Sequence, residues 1–255
     1  MMRINKLLVT LAFLISFNAS ASNAILIGVN TYAYSPLSNP VNDVALISKK
    51  LNSLGWNVTV LNNPTVKKLK STVERFASKI PKGTTSTTLL YFSGHGFQYA
   101  GENYLVPSDI DKHVSVTENS LSISEISYFF RSITAPKVMI IDACRSSTLG
   151  KGTLSISTGL NSQNAPPNTL IAYATAPGKV AFDGPNGGNS PYASAFVSSL
   201  NSYENADDVF RQTRVNTIKY TGGRQIPWES SSLLENISFN SGSLTDIEQP
   251  NFQQT

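Results

Sequence analysis

Two positions in the 255-residue sequence combine a reactive side chain with a setting in which it could react. Cys144, the only cysteine, closes the run Lys137-Val138-Met139-Ile140-Ile141-Asp142-Ala143-Cys144-Arg145. An unbroken Val/Ile-rich run reads as a strand buried on both faces, the pattern of a central strand in a parallel sheet. In open α/β sheets, ligands sit beyond the carboxyl ends of the strands, where this run places Cys144. The second position is His95. It follows the apolar run 87–92 within Ser93-Gly94-His95-Gly96. Flanking glycines let the backbone approach a ligand and leave the imidazole unscreened. A lone cysteine by itself reads as a small buried hydrophobe. Joined to a glycine-flanked histidine, each just past a buried strand, it becomes a candidate thiolate–imidazole pair.

Composition narrows the other classes. One cysteine cannot form an internal disulfide, so it is either inert or kept as a thiol. With His95 and His113 the only histidines, a conventional structural zinc site is not expected, and no metal or cofactor is assigned. A thiol redox role lacks a resolving cysteine. The formal charge is +4, of which Arg3 and Lys6 supply two, and the densest basic cluster is Lys67-Lys68 with Lys70. No nucleic-acid partner is expected from that distribution. Arg3 and Lys6, the apolar run 7–17 and Ala19-Ser20-Ala21 have the form of a secretory signal peptide cleaved after Ala21. The expected product is secreted or periplasmic, without stable membrane insertion. The apolar run is short for a retained anchor.

The elements that must hold the pair follow from periodicity. Residues 24–29, 56–61, 87–92, 137–141 and 169–175 read as strands, with a short last strand around 236–239. Helices are expected from Val41 to near Gly55, over 66–80, 123–133, 191–200 and 206–220. A hairpin is expected over 97–106, turning at Ala100-Gly101-Glu102-Asn103. Strands alternating with helices give an α/β fold, a mostly parallel six-stranded sheet flanked by helices. One domain over 22–240 follows, with a polar tail over 241–255. The aperiodic, Ser/Gly-rich stretch 146–168 reads as a long loop, functional or disordered. Asp43, in the first turn of its helix, reads by itself as a complement to the helix dipole.

The ordered set Asn39-Pro40-Val41-Asn42-Asp43, Tyr91-Phe92-Ser93-Gly94-His95-Gly96, Ile140-Ile141-Asp142-Ala143-Cys144-Arg145, Tyr173-Ala174-Thr175-Ala176-Pro177-Gly178-Lys179-Val180-Ala181-Phe182-Asp183 and Gln225-Ile226-Pro227-Trp228 resembles the caspase-like cysteine peptidases. The likeness is to bacterial relatives of paracaspases and metacaspases. His95 and Cys144 are 49 positions apart, close to the caspase spacing. The resemblance implies a caspase-like α/β/α sandwich and a cysteine endopeptidase with Cys144 as nucleophile and His95 as acid–base. The N–H groups of Gly96 and Cys144 would form the oxyanion hole. Tyr173, Ala174, Thr175 and Ala176 would pair with the substrate as an added strand. Caspases carry Gln two residues before the nucleophile, where this chain has Asp142. The resemblance would place Asp43 and Asp183 in the same pocket, and with that acid it implies peptide or protein substrates with Arg or Lys before the scissile bond. Self-cleavage near Lys151 is a further implication, and dimerisation is left open.

Two other readings stay in view. One is a catalytically silent caspase-fold module that binds peptides or partners. The other is a legumain- or gingipain-like peptidase of different specificity.

Overall fold

A computed structural model describes residues 21–33, 35–110, 115–144, 160 and 162–240, with Cys144 described at its main chain. The leader, His113, Lys151 and the 241–255 tail lie outside the described residues, as does most of the stretch after Cys144.

In chain order the elements are β1 (Asn23–Gly28), α1 (Pro40–Ser53), β2 (Asn57–Asn62), α2 (Val66–Lys79), β3 (Thr88–Tyr99), β4 (Glu102–Leu105), β5 (Leu121–Ser122), α3 (Ile123–Phe129), β6 (Lys137–Cys144), β7 (Thr169–Tyr173), α4 (Pro191–Leu200), α5 (Ala206–Tyr220) and β8 (Trp228–Ser231). The main sheet runs β2-β1-β3-β6-β7-β8, with β4 and β5 attached beyond β3. Its pairings are parallel except β7 with β8. This is the expected mostly parallel, six-stranded α/β/α arrangement.

Burial explains why the central strands lack alternation. On one face Leu90, Phe92, Met139 and Ile141 pack with Leu69, Val73 and Phe76 of α2 and Ile126 of α3. On the other, Leu89, Tyr91, Val138 and Ile140 pack with Val44 and Ile47 of α1, Phe196 of α4 and Phe210 of α5. Strands covered on both sides have no polar face to display.

Three boundaries differ from the sequence reading. Strand β3 continues through Ser93-Gly94-His95-Gly96 to Tyr99, so His95 lies within a strand, not past its end. The glycines permit this. A Cβ at 94 would lie 2.7 Å from the Tyr32 hydroxyl, and one at 96 would lie 3.0 Å from the Ala143 Cβ. Cys144 likewise ends β6 from inside it. The last sheet strand is β8, pairing Trp228 with Tyr173. Residues 236–239 make only an isolated bridge, Asn205 with Ser238. Their burial comes from side chains instead: the Phe239 ring lies 5.7–6.1 Å from those of Phe196, Phe210 and Trp56.

Helix α1 crosses the end of β1 closely enough to require glycine there. A Cβ on Gly28 would stand 2.7 Å from the Pro40 carbonyl oxygen. Gly28→Ala is therefore expected to cost about 1–3 kcal/mol, the usual range for overpacking. A denaturant melt checks this, and an unchanged midpoint would contradict the contact.

Candidate functional site

Pairing of β3 with β6 runs Tyr91↔Ile140, Ser93↔Asp142 and His95↔Cys144. Neighbouring strands lie about 4.8 Å apart, so residues 95 and 144 are adjacent across the sheet. The expected juxtaposition of the histidine with the only cysteine is thus a property of strand register. The imidazole, expected to be unscreened, is in fact enclosed: His95 is 1% exposed, and its ring centroid lies 4.4 Å from that of Tyr32. The Tyr32 hydroxyl accepts from His95 N at 2.8 Å and donates to the Val106 carbonyl at 3.2 Å. His95 Nε2 lies 2.7 Å from the Ser35 carbonyl oxygen. A carbonyl only accepts, so Nε2 carries a proton in this contact. The ring is thereby held in one tautomer by a third group, a recurring arrangement around activated nucleophiles. Ser35 has φ 61, in the left-handed region, and its carbonyl makes this contact.

Two residues before Cys144, Asp142 is 1% exposed, and Asp43 on α1 is fully buried. Asp142 Oδ2 accepts from the Tyr91 hydroxyl at 3.0 Å and the Ser190 hydroxyl at 2.5 Å. Its Oδ1 is buried without a hydrogen-bond partner. Asp43 Oδ1 accepts from Asn189 Nδ2 at 3.0 Å and Ser190 N at 2.8 Å, and its Oδ2 accepts from the Ser93 hydroxyl at 3.0 Å. Burial, reinforced by the Asp43 charge, raises the Asp142 pKa to about 8. Burial raises Asp43 to about 6, and Asp183 pushes both the same way. Removal from water disfavours each anion, and two anions side by side disfavour each other.

Asp183 completes the trio from a less buried position. Its carboxylate accepts from Ser38 N at 2.7 Å and Asn39 N at 3.3 Å. Asn39 Nδ2 in turn donates to the Asp183 and Pro185 carbonyls at 2.6 and 2.8 Å. With Asn42 Nδ2 on the Gly188 carbonyl at 3.1 Å, the segment 183–190 is strapped across the start of α1. Asp43 and Asp142 are both engaged by Ser190, and the Asp183 charge acts on each of them. Asp43 stands in the first turn of α1, and it is also buried there beside Asp142.

The sequence profile of the caspase domain matches residues 21–238. This chain belongs to the caspase-domain family. It is 30% identical to the human mucosa-associated lymphoid tissue lymphoma translocation protein 1 over 162 residues, 63% of this chain and 19% of that protein. The mouse homolog matches to the same extent. Caspase-1 of Felis catus is 28% identical over 118 residues, 43% of this chain and 27% of that protein. The chain thus aligns with about a fifth to a quarter of the length of these relatives. It carries a caspase-type cysteine-peptidase fold.

Other residues expected in a caspase-domain site fall less simply. Tyr173 is 3% exposed and sits between β6 and β8, paired on both sides. It cannot accept an added strand, because a paired residue has no open edge. Ala174 is also engaged: its N–H donates to the Ile141 carbonyl at 3.1 Å, and its carbonyl accepts from Gln225 Nε2 at 2.9 Å. Ala176 O accepts from Lys179 N at 3.1 Å in a turn. Thr175 is buried, its hydroxyl unpartnered. The expectation of strand addition along 173–176 fails at its first two residues because β8 and Gln225 already occupy those groups.

The main-chain donors proposed around an oxyanion follow the ladder. Val29 N donates to Ser93 O and Val106 N to His95 O, so odd residues here face β1 and β4. Alternation turns the Gly96 N–H toward β6, the strand that ends at Cys144. Sequence reasoning did not find Tyr32, Ser35, Tyr91, Ser93, Asn189 or Ser190. Period-two spacing from His95 back to Ser93 and Tyr91 was the available signal for two of them. The others come from loops and a helix cap far away in sequence.

Among the described residues no helix is long and apolar enough to cross a membrane, and no group of three or more His, Cys, Asp or Glu side chains is placed to hold a metal.

Proposed function

We propose that this chain is a cysteine endopeptidase that cuts after Arg or Lys, with Cys144 and His95 as its dyad. The Cys144 thiolate adds to the scissile carbonyl, and His95 gives its proton to the departing amine. Water, deprotonated by His95, then hydrolyses the acyl-enzyme and restores the thiol. The Gly96 and Cys144 N–H groups donate to the oxyanion once the backbone there admits substrate. Residues 1–21 act as the export signal, and the mature peptidase works outside the cytoplasm.

One observation carries the specificity. Asp142 Oδ1 is a buried acceptor with no partner, beside a second buried carboxylate and two residues before the nucleophile. A guanidinium or ammonium supplies the missing donors and relieves the repulsion between the acids. An acidic side chain would meet both carboxylates and be rejected. Both acids are almost fully covered, so the base reaches them only as the residues around them rearrange.

Peptidyl electrophiles test the dyad and pocket together. A probe with Arg at the reactive position should alkylate Cys144 selectively, with the modified peptide identified by mass, and an Asp-bearing probe should react far more slowly. Equal labelling by both probes, or labelling that persists in Cys144→Ala, would overturn the assignment.

A further inference from the structure

Ser190 is the N-cap of α4, its side chain accepting from Ala193 N at 2.9 Å. An N-cap exchanging one hydrogen bond with its own helix is ordinary. Ser190 does more than that. Its N–H holds Asp43 Oδ1 at 2.8 Å, and its hydroxyl holds Asp142 Oδ2 at 2.5 Å. It is 2% exposed. One residue therefore grips both buried acids, one through the main chain and one through the side chain. The grip leaves Asp142 Oδ1 as the acid's unpartnered oxygen.

We infer that Ser190 is a positioning residue for the basic-residue pocket, fixing the rotamer and spacing of Asp142 and Asp43 so that Asp142 Oδ1 meets an arriving cation. This deepens the Arg/Lys reading and rests on it. The Tyr91 hydroxyl, also on Oδ2, supports the same orientation from β3. Without the Ser190 hydroxyl, one of the two bonds holding Oδ2 is lost, and the carboxyl can turn to take Tyr91 with either oxygen. Preorganised donors and acceptors are worth most in a site shut off from water, and a loosely held acceptor loses that advantage. The groups facing the pair are Asp183 from its loop, Tyr91 from β3 and Tyr192 from α4, with Arg214 of α5 acting on Tyr192. The Ser190 and Tyr91 hydroxyls both favour the ionised form of Asp142, so removal of the Ser190 hydroxyl moves that titration to higher pH.

The test uses the mature chain with Ser190→Gly, Ser190→Ala and Ser190→Thr. Glycine caps a helix nearly as well as serine and keeps the N–H on Asp43, so Ser190→Gly removes the hydroxyl with little loss of helix stability. Ser190→Gly and Ser190→Ala are expected to raise KM for an Arg peptide about tenfold or more, with kcat changed less than about threefold. The pH at which KM improves should move upward. Ser190→Thr, which retains a hydroxyl, should restore both. Binding of agmatine to Cys144→Ala, read as a thermal shift, should weaken in parallel when Ser190→Gly is added. If the parent binds agmatine and cuts after Arg but Ser190→Gly matches it in KM, agmatine affinity and pH profile, the positioning role is wrong. A parent that neither binds agmatine nor prefers Arg would instead refute the specificity on which the role depends.

Discussion

Cys144→Ala is expected to lower hydrolysis of an Arg peptide by roughly 10⁴- to 10⁶-fold, the scale seen when a peptidase nucleophile is removed. Residue 144 occupies the last position of β6, in register with His95. Truncation there removes one sulfur and leaves the Val138–Ile141 core of the strand intact, so a thermal melt should be little changed. His95→Ala is different. The His95 ring lies against Tyr32 inside β3, and its replacement empties a buried site. It should lose activity and also about 1–3 kcal/mol of stability. Activity near the parental level in Cys144→Ala would remove the dyad from consideration.

Asp142→Asn is expected to move activity and stability in opposite directions. For Arg peptides the specificity constant should fall roughly 30- to 1000-fold, about 2–4 kcal/mol, the range for truncating one partner of a buried charge pair. Stability follows from the raised pKa. An aspartate in the unfolded chain ionises near 3.9, whereas Asp142 in the fold holds its proton to about 8. Between these values the native state binds a proton that the unfolded chain has released, so the contribution of Asp142 to stability declines as pH rises. Asparagine is a neutral isostere of the protonated acid. The variant should therefore match the parent near pH 4, gain steadily as pH rises, and level off above pH 8 at an advantage of a few kcal/mol at most. In the parent, KM for Arg peptides should improve over the same rise, from about 6, where Asp43 ionises, towards 8. Denaturation at several pH values together with Arg-peptide kinetics decides the matter. A variant that is less stable than the parent at pH 8 would make Asp142 a structural acid.

What the sequence made legible depended on whether a residue's role is local. Residues 138–141 and 170–172 announce themselves as strands because burial on both faces leaves no polar residue in the run. Helices α4 and α5 begin where Ser190-Pro191 and Asn205 place a cap, so their limits could be read directly. The continuation of β3 through Ser93-Gly94-His95-Gly96 was hidden because glycine usually signals a turn. Here it signals close approach by Tyr32 and Ala143, two residues remote in sequence. The last strand was misplaced for a related reason. Ile237 and Phe239 are as buried as strand residues, but they are held by Trp56, Phe196 and Phe210 and not by a ladder.

The same division runs through the site. His95 and Cys144 lie on adjacent strands at matched register, and their types and order were enough to single them out, whereas Asp142 was picked out by the comparison with caspases. Asp43 and Asp183 needed the family resemblance, since an acid in a first turn or a glycine-rich loop has an ordinary explanation. Ser35, Asn189 and Ser190 had no signal. Each acts at a distance of 48 to 147 positions in the chain, through a carbonyl, an amide or a cap. Only the folded arrangement shows the contact.

The most direct measurement is steady-state hydrolysis by the chain beginning at Ser22 of short fluorogenic peptides that differ only in the residue before the scissile bond: Arg, Lys, citrulline, Asn and Asp. The pocket built on Asp142 and Asp43 predicts cleavage after Arg and Lys, a loss of at least tenfold for the neutral citrulline, and negligible turnover of Asp. Preference for Asp or Asn, or equal rates for Arg and citrulline, would contradict it.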